Sequence, residues 1–108
     1  MISEGSLRQI SHIFCGDIGE LYSYKSGPKL VSFFNQYFHT NDRYGQGFPS
    51  RWAYVYDKLV SMINTNRIDH FLDIILSREY LMQDCGISMV EAAEKASEII
   101  DEFNRILQ

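Results

Sequence analysis

The chain has 108 residues, enough for one domain around one core, and is read as a single domain over 1–108. Hydrophobic residues make up 45% and aromatics 14%, which excludes a disordered chain. A net charge of −4 argues against general nucleic-acid binding, which needs a basic face to displace counterions.

The first helix is predicted over about residues 4–15, with Leu7, Ile10 and Phe14 along one side. Gly16 and Gly19 punctuate the chain after it, and Asp17 is placed to cap a short turn through Ile18 and Leu21. Ser26-Gly27-Pro28 breaks the chain, and Pro28 opens a second helix carrying Leu30, Phe33, Phe34, Tyr37 and Phe38. From His39 to Pro49 the apolar pattern stops, so this stretch reads as a long loop.

A further helix starts at Ser50 with Trp52, Val55, Tyr56, Leu59 and Ile63, and Thr65-Asn66 ends it. Asn66 is the expected cap of the next, whose Ile68, Phe71, Leu72, Ile75 and Leu76 give the stripe of an amphipathic helix. That helix is expected to continue or bend through Glu79–Met82 and stop at Gly86. Ser88 and Glu91 form a Ser-x-x-Glu capping box that starts the last helix. No stretch alternates as a strand does, so the fold class is an all-α bundle of five to six helices with one long loop. Its expected core is Phe14, Leu30, Phe33, Leu59, Ile63, Phe71, Leu72, Ile75, Ile100 and Phe103.

On the last helix, at about 100° per residue, Met89, Ala93, Ala96, Ile99, Ile100, Phe103, Ile106 and Leu107 share one broad side. Glu91, Glu94, Glu98, Asp101 and Glu102 share the other. Acidity belongs to this end of the chain: residues 1–68 hold seven Lys/Arg against five Asp/Glu, and residues 69–108 hold three against nine. The acidic row suits a protein partner with a basic surface, although a solvated helix face is the commoner explanation of such a row.

The usual catalytic motifs are missing: no phosphate-cradling Gly-x-x-x-x-Gly-Lys, no His-Glu-x-x-His and no Gly-x-Ser-x-Gly. Arg8 and His12 are separated by three residues, closer than the Arg-to-His spacing of defence-associated helical ribonucleases. No catalytic residue is assigned, and the expectation is a protein that is not an enzyme. His12 and Cys15 lie three apart on one predicted helix, and with Cys85 they make a candidate zinc site, which His70, Asp17 or Asp84 would complete. The plainer account is two small buried cysteines and a surface histidine. The loop residues Arg43, Tyr44 and Phe48 are candidates for partner binding, together with Glu91, Glu94, Glu98 and Asp101. Lys25 and Lys29 flank Gly27-Pro28 and read as an ordinary turn. Two cysteines make no disulfide scaffold, and no signal peptide or membrane-length apolar run is evident. A cytoplasmic protein with no membrane partner and no direct nucleic-acid partner is expected.

Three stretches, Ile-Phe-Cys-Gly-Asp (13–17), Tyr-Ser-Tyr-Lys-Ser-Gly-Pro-Lys-Leu-Val (22–31) and Gly-Phe-Pro-Ser-Arg-Trp (47–52), are similar to segments of bacterial conflict proteins. There they head larger chains, as an N-terminal accessory module before a signalling or effector domain. The resemblance covers about two thirds of the sequence and implies no catalytic residue. With no effector domain, the chain also resembles the small phage inhibitors of host defence, anti-CRISPR proteins among them, in size, charge and lack of an active site. The resulting expectation is a non-enzymatic inhibitor that binds a nucleic-acid-handling defence enzyme such as a CRISPR nuclease. The alternative is a sensing or docking module of a larger bacterial defence protein.

Overall fold

The computed structural model describes residues 2–108, and among them the only regular elements are six helices. These are α1 (Glu4–Cys15), α2 (Gly27–Phe38), α3 (Arg51–Asn64), α4 (Ile68–Ile75), α5 (Arg78–Cys85) and α6 (Met89–Leu107). The all-α bundle expected from the apolar periodicity is the fold observed. No helix is long and apolar enough to cross a membrane among the described residues.

Helix starts follow the serines. Ser3, Ser26, Ser77 and Ser88 each accept a hydrogen bond from a backbone N–H in the first turn, satisfying a donor the helix cannot. The Ser88–Glu91 capping box forms in both directions. Ser77 also divides what reads as one long stripe. Its side chain caps α5 while the chain bends after Leu76, so α4 and α5 are separate helices. Asn66 is not the cap of α4: it takes a left-handed conformation (φ 57°), and Arg67 occupies the cap position without a side-chain bond. Likewise Asp17 caps no helix, and residues 17–21 form turns and bends.

The buried side chains form one cluster, with Phe14 at its centre. This ring is inaccessible to solvent and meets Phe33 (4.9 Å between centroids), Phe71 (5.4 Å) and Tyr22 (5.6 Å), mostly edge-on or tilted as aromatic quadrupoles prefer. α1 packs along α3, and α6 packs on α5 and α1. Of the expected core, Phe14, Leu30, Phe33, Leu59, Phe71, Ile75 and Phe103 are buried, while Ile63 and Leu72 lie at its margin. Ile100 is a correction: it is 42% exposed. The apolar side of α6 is wider than the surface its neighbours cover, and only Ala92, Ile99, Phe103 and Ile106 are buried.

Truncating Phe14 to Ala should cost about 3–5 kcal/mol, since a cavity opens among Tyr22, Phe33, Phe71 and Tyr80, which cannot all collapse into it. Ile100→Ala should cost less than about 1 kcal/mol. Urea denaturation of both variants checks the contrast.

Candidate functional site

The three stretches 13–17, 22–31 and 47–52 are far apart in sequence and interlock in space. Gly16 ends α1 in a left-handed conformation (φ 82°), and the chain turns back so that Ser23–Lys25 lies against it. A Cβ at Gly16 would collide with the Ser23 carbonyl, so the close approach itself requires glycine. The Lys25 N–H then donates to the Cys15 carbonyl (3.0 Å).

Arg51, at the start of α3, clamps this return. Its Nε donates to the Lys25 carbonyl (2.6 Å), one terminal nitrogen to the Cys15 carbonyl (2.6 Å) and the other to Asp17 Oδ1 (2.8 Å). The guanidinium also covers the exposed Tyr24 ring, 4.0 Å from its centroid.

Beneath the clamp lies a buried ion pair. Lys25 Nζ stands 2.8 Å from Asp84 Oδ1, and both side chains are 1% exposed. The ammonium directs its other donors to the carbonyls of Phe14 (3.0 Å) and Ser23 (3.1 Å), over the Phe14 ring. Asp84 in turn accepts the backbone N–H of Ser23 (2.9 Å) and the Ser23 hydroxyl (3.1 Å). Burial would raise the Asp84 carboxyl, but bonds from Lys25 and Ser23 outweigh it and hold the group below the usual carboxylate range. Burial lowers Lys25, and the bond it donates to Asp84 opposes this. All three ammonium donors are satisfied internally, which describes a structural lysine rather than a poised nucleophile.

This pair forms the floor of a cleft of about 410 Å³ between α2 and α5, walled by Lys29, Gln36, Tyr37, Tyr80 and Gln83. Neither Lys25 nor Asp84 was distinguishable from surface charge in the sequence. The one signal was position: Lys25 stands just before a helix cap, and Asp84 stands beside half-buried Cys85 at the end of α5.

The candidate metal ligands do not assemble. His12 stacks on Trp52 (5.2 Å) and contacts Asp17 (3.3 Å), while Cys85 lies beside Asp84 and the Leu21 carbonyl. Cys15 is fully buried in the core, and burial pushes its thiol up to about 11. Among the described residues no three His, Cys, Asp or Glu side chains stand where they could hold a metal ion.

The loop from 39 to 49 is irregular, as expected, but firmly pinned. The Asn35 side chain bonds the backbone of Asp42 in both directions and accepts from Thr40. Asp42 accepts the Tyr54 hydroxyl (2.6 Å) and pairs with Lys58. Of the candidate contacts, Phe48 is half-buried against Tyr54, Tyr44 packs on Phe48 and against Gly27, and Arg43 is exposed.

On α6, Glu91 is engaged in the capping box, whereas Glu94, Glu98 and Asp101 are exposed and make no ion pair among the described residues. Glu98 and Glu102 line a shallow cleft with Gln9, Ile13, Ile18 and Gly19. Asp17 lines another with the loop residues Tyr44, Phe48 and Pro49 and with Arg51 and Trp52 at the start of α3. The turn 17–19 therefore separates the acidic row from the loop, with Ile18 exposed on it. Comparison with protein-family models, curated proteins and solved structures finds no match for this chain.

Asp84→Ala should destabilise the protein by about 3–5 kcal/mol, because the Lys25 ammonium is left buried without its counterion. The double change Lys25→Met/Asp84→Leu should cost less than that single change. The depressed Asp84 carboxyl contributes stability in full above its unfolded value of about 4, lost as pH falls through the folded value. Stability should accordingly fall less steeply with acid below about pH 4 in Asp84→Asn than in wild type. Urea midpoints measured across the acid range check both statements.

Proposed function

We propose that the chain is a non-catalytic protein-binding protein of phage–host conflict. Its contact surface is the turn 17–19, the loop 39–49 and the acidic row of α6. One observation carries this reading: the two elements of contact chemistry border the same turn, so one partner surface reaches both. Exposed Ile18 and Tyr24 supply apolar and aromatic contact on the way, Glu98 lines the cleft beside Ile18, and Glu94 and Asp101 are exposed on the same side of α6 as Glu98.

In the form we favour for function, the carboxylate row takes the place of a phosphate backbone against an Arg/Lys-lined groove. The protein then blocks a nucleic-acid-handling defence enzyme, such as a CRISPR nuclease, by occupying that groove. A second form, a sensing or docking module of a larger bacterial defence protein, is favoured by a different observation. The three stretches that carry the resemblance are those that interlock through Gly16, Lys25 and Arg51. A resemblance concentrated in interlocking residues supports a shared fold with such a module.

Expression of the chain in cells carrying the susceptible nuclease should raise phage plating, and Glu94→Gln/Glu98→Gln/Asp101→Asn should lose that effect with helix content unchanged. Failure of the wild-type protein to alter plating across nuclease types overturns the inhibitor form. With a partner in hand, the triple variant should associate on the order of tenfold more slowly at low salt, converging with wild type as screening increases. Arg43→Ala should weaken binding while leaving the melting temperature unchanged. Tyr44→Ala should disturb both, since its ring packs on Phe48 and Gly27.

A further inference from the structure

α6 buries one arc of its circumference, and the rest divides into two unlike halves. Taking about 100° per residue, Glu91, Glu98, Arg105, Glu94 and Asp101 occupy the arc on one side of the buried residues. Met89, Leu107, Ile100, Ala93, Asn104, Ser97 and Val90 occupy the other, and not one of them is charged. Four of these are exposed large apolar side chains: Val90 at 70%, Met89 at 58%, Ile100 at 42% and Leu107 at 36%. Only three other large apolar side chains are exposed among the described residues, Ile18, Tyr24 and Tyr44, and all three lie near the contact surface described above. The uncharged arc is a second, separate surface with no partner among the described residues.

From its sequence order and charge, we infer that this arc pairs with the same arc of a second copy, the two α6 helices running antiparallel about a two-fold axis near residues 98–99. Antiparallel pairing about that axis sets Ser97 opposite Ile100, Ala93 opposite Asn104 and Val90 opposite Leu107. Ile100 meets a small residue, and the apolar ends meet each other. Ala93 and Ser97 let the backbones approach closely, and opposed helix dipoles favour the arrangement. Charge selects the occupant. Two acidic copies meet without facing carboxylates only where a surface is uncharged, and on α6 this arc is that surface. A basic partner would find no counter-charge here. The dimer leaves the acidic rows outward, so this inference stands apart from the function proposed above.

One helix face is small beside the roughly 1,200–2,000 Å² of a stable interface, so the dimer is reversible and concentration-dependent. Sedimentation velocity from about 5 to 500 μM should show wild-type protein passing from monomer to dimer. Ile100→Glu and Ile100→Lys, made separately at this exposed position, should each remain monomeric with unchanged circular dichroism. An equal mixture of the two should dimerise, because the substituted side chains of the two copies lie close to the axis with opposite charge. Ala93→Arg, on the same arc, should also abolish the dimer and serves should either Ile100 variant lose helicity. A wild-type protein monomeric at the highest concentration overturns the inference. So does a dimer that persists in folded single variants, which places the interface elsewhere, or a mixture that fails to associate, which removes the antiparallel pairing.

Discussion

An ammonium and a carboxylate shut away from water at the junction of α1, α2 and α5 are what the remaining geometry rests on. Removing two such charges from water costs several kcal/mol each, and mutual attraction repays it only when every remaining donor and acceptor is met. Lys25 and Asp84 meet that condition through groups the fold brings from three places: the Phe14 carbonyl at the end of α1, Ser23 in the returning chain and α5 itself. The pair therefore functions as a positional constraint. It forms only when the 16–26 return lies against α1 and α5 lies against both. Arg51 repeats the constraint from the other side, holding the same return through two carbonyls and Asp17. A hydrophobic contact tolerates slippage, whereas five directed bonds to one lysine and one aspartate do not.

The helices were legible in the sequence because their signals are local. The Ser88–Glu91 capping box, Pro28, Gly16, Gly86 and the 3.6-residue apolar rhythm act within a turn or two of chain, and they place five of the six helices closely. The division of α4 from α5 was not resolved, because Leu72, Leu76 and Tyr80 keep one rhythm across a break made by the Ser77 hydroxyl. Phe14, Phe33 and Phe71 were legible as core by their size and spacing.

The centre at Lys25 was not legible, for a physical reason. A lysine beside a glycine and a proline has the local appearance of a surface turn, and its burial depends on Asp84, which lies 59 positions further along the chain. The His12–Cys15 spacing misled in the opposite direction. Two residues three apart do share a helix face, but Trp52 and Asp17 occupy the space beside His12, and Cys15 points into the core. The loop was found by its composition, yet the device that pins it, Asn35 reaching forward to Thr40 and Asp42, was hidden in the helix before it.

α6 shows how a helix answers to more than its own fold. A helix that only had to pack on α1 and α5 would need one apolar stripe, and Ala92, Ile99, Phe103 and Ile106 supply it. Charged residues would then be tolerated anywhere on the remaining circumference, since burial no longer discriminates there. They are found on one half alone. Exposed Val90, Met89 and Ile100 lie outside the core of the described chain, and exposed apolar side chains gathered on one face favour association. The segregation is what the proposed partner binding and the inferred dimer would together require: carboxylates attract a basic surface best when apolar contact does not compete for the same ground, and two acidic copies approach best where no carboxylate faces another. With the two requirements on different sides of one helix, both would be met without altering the core beneath.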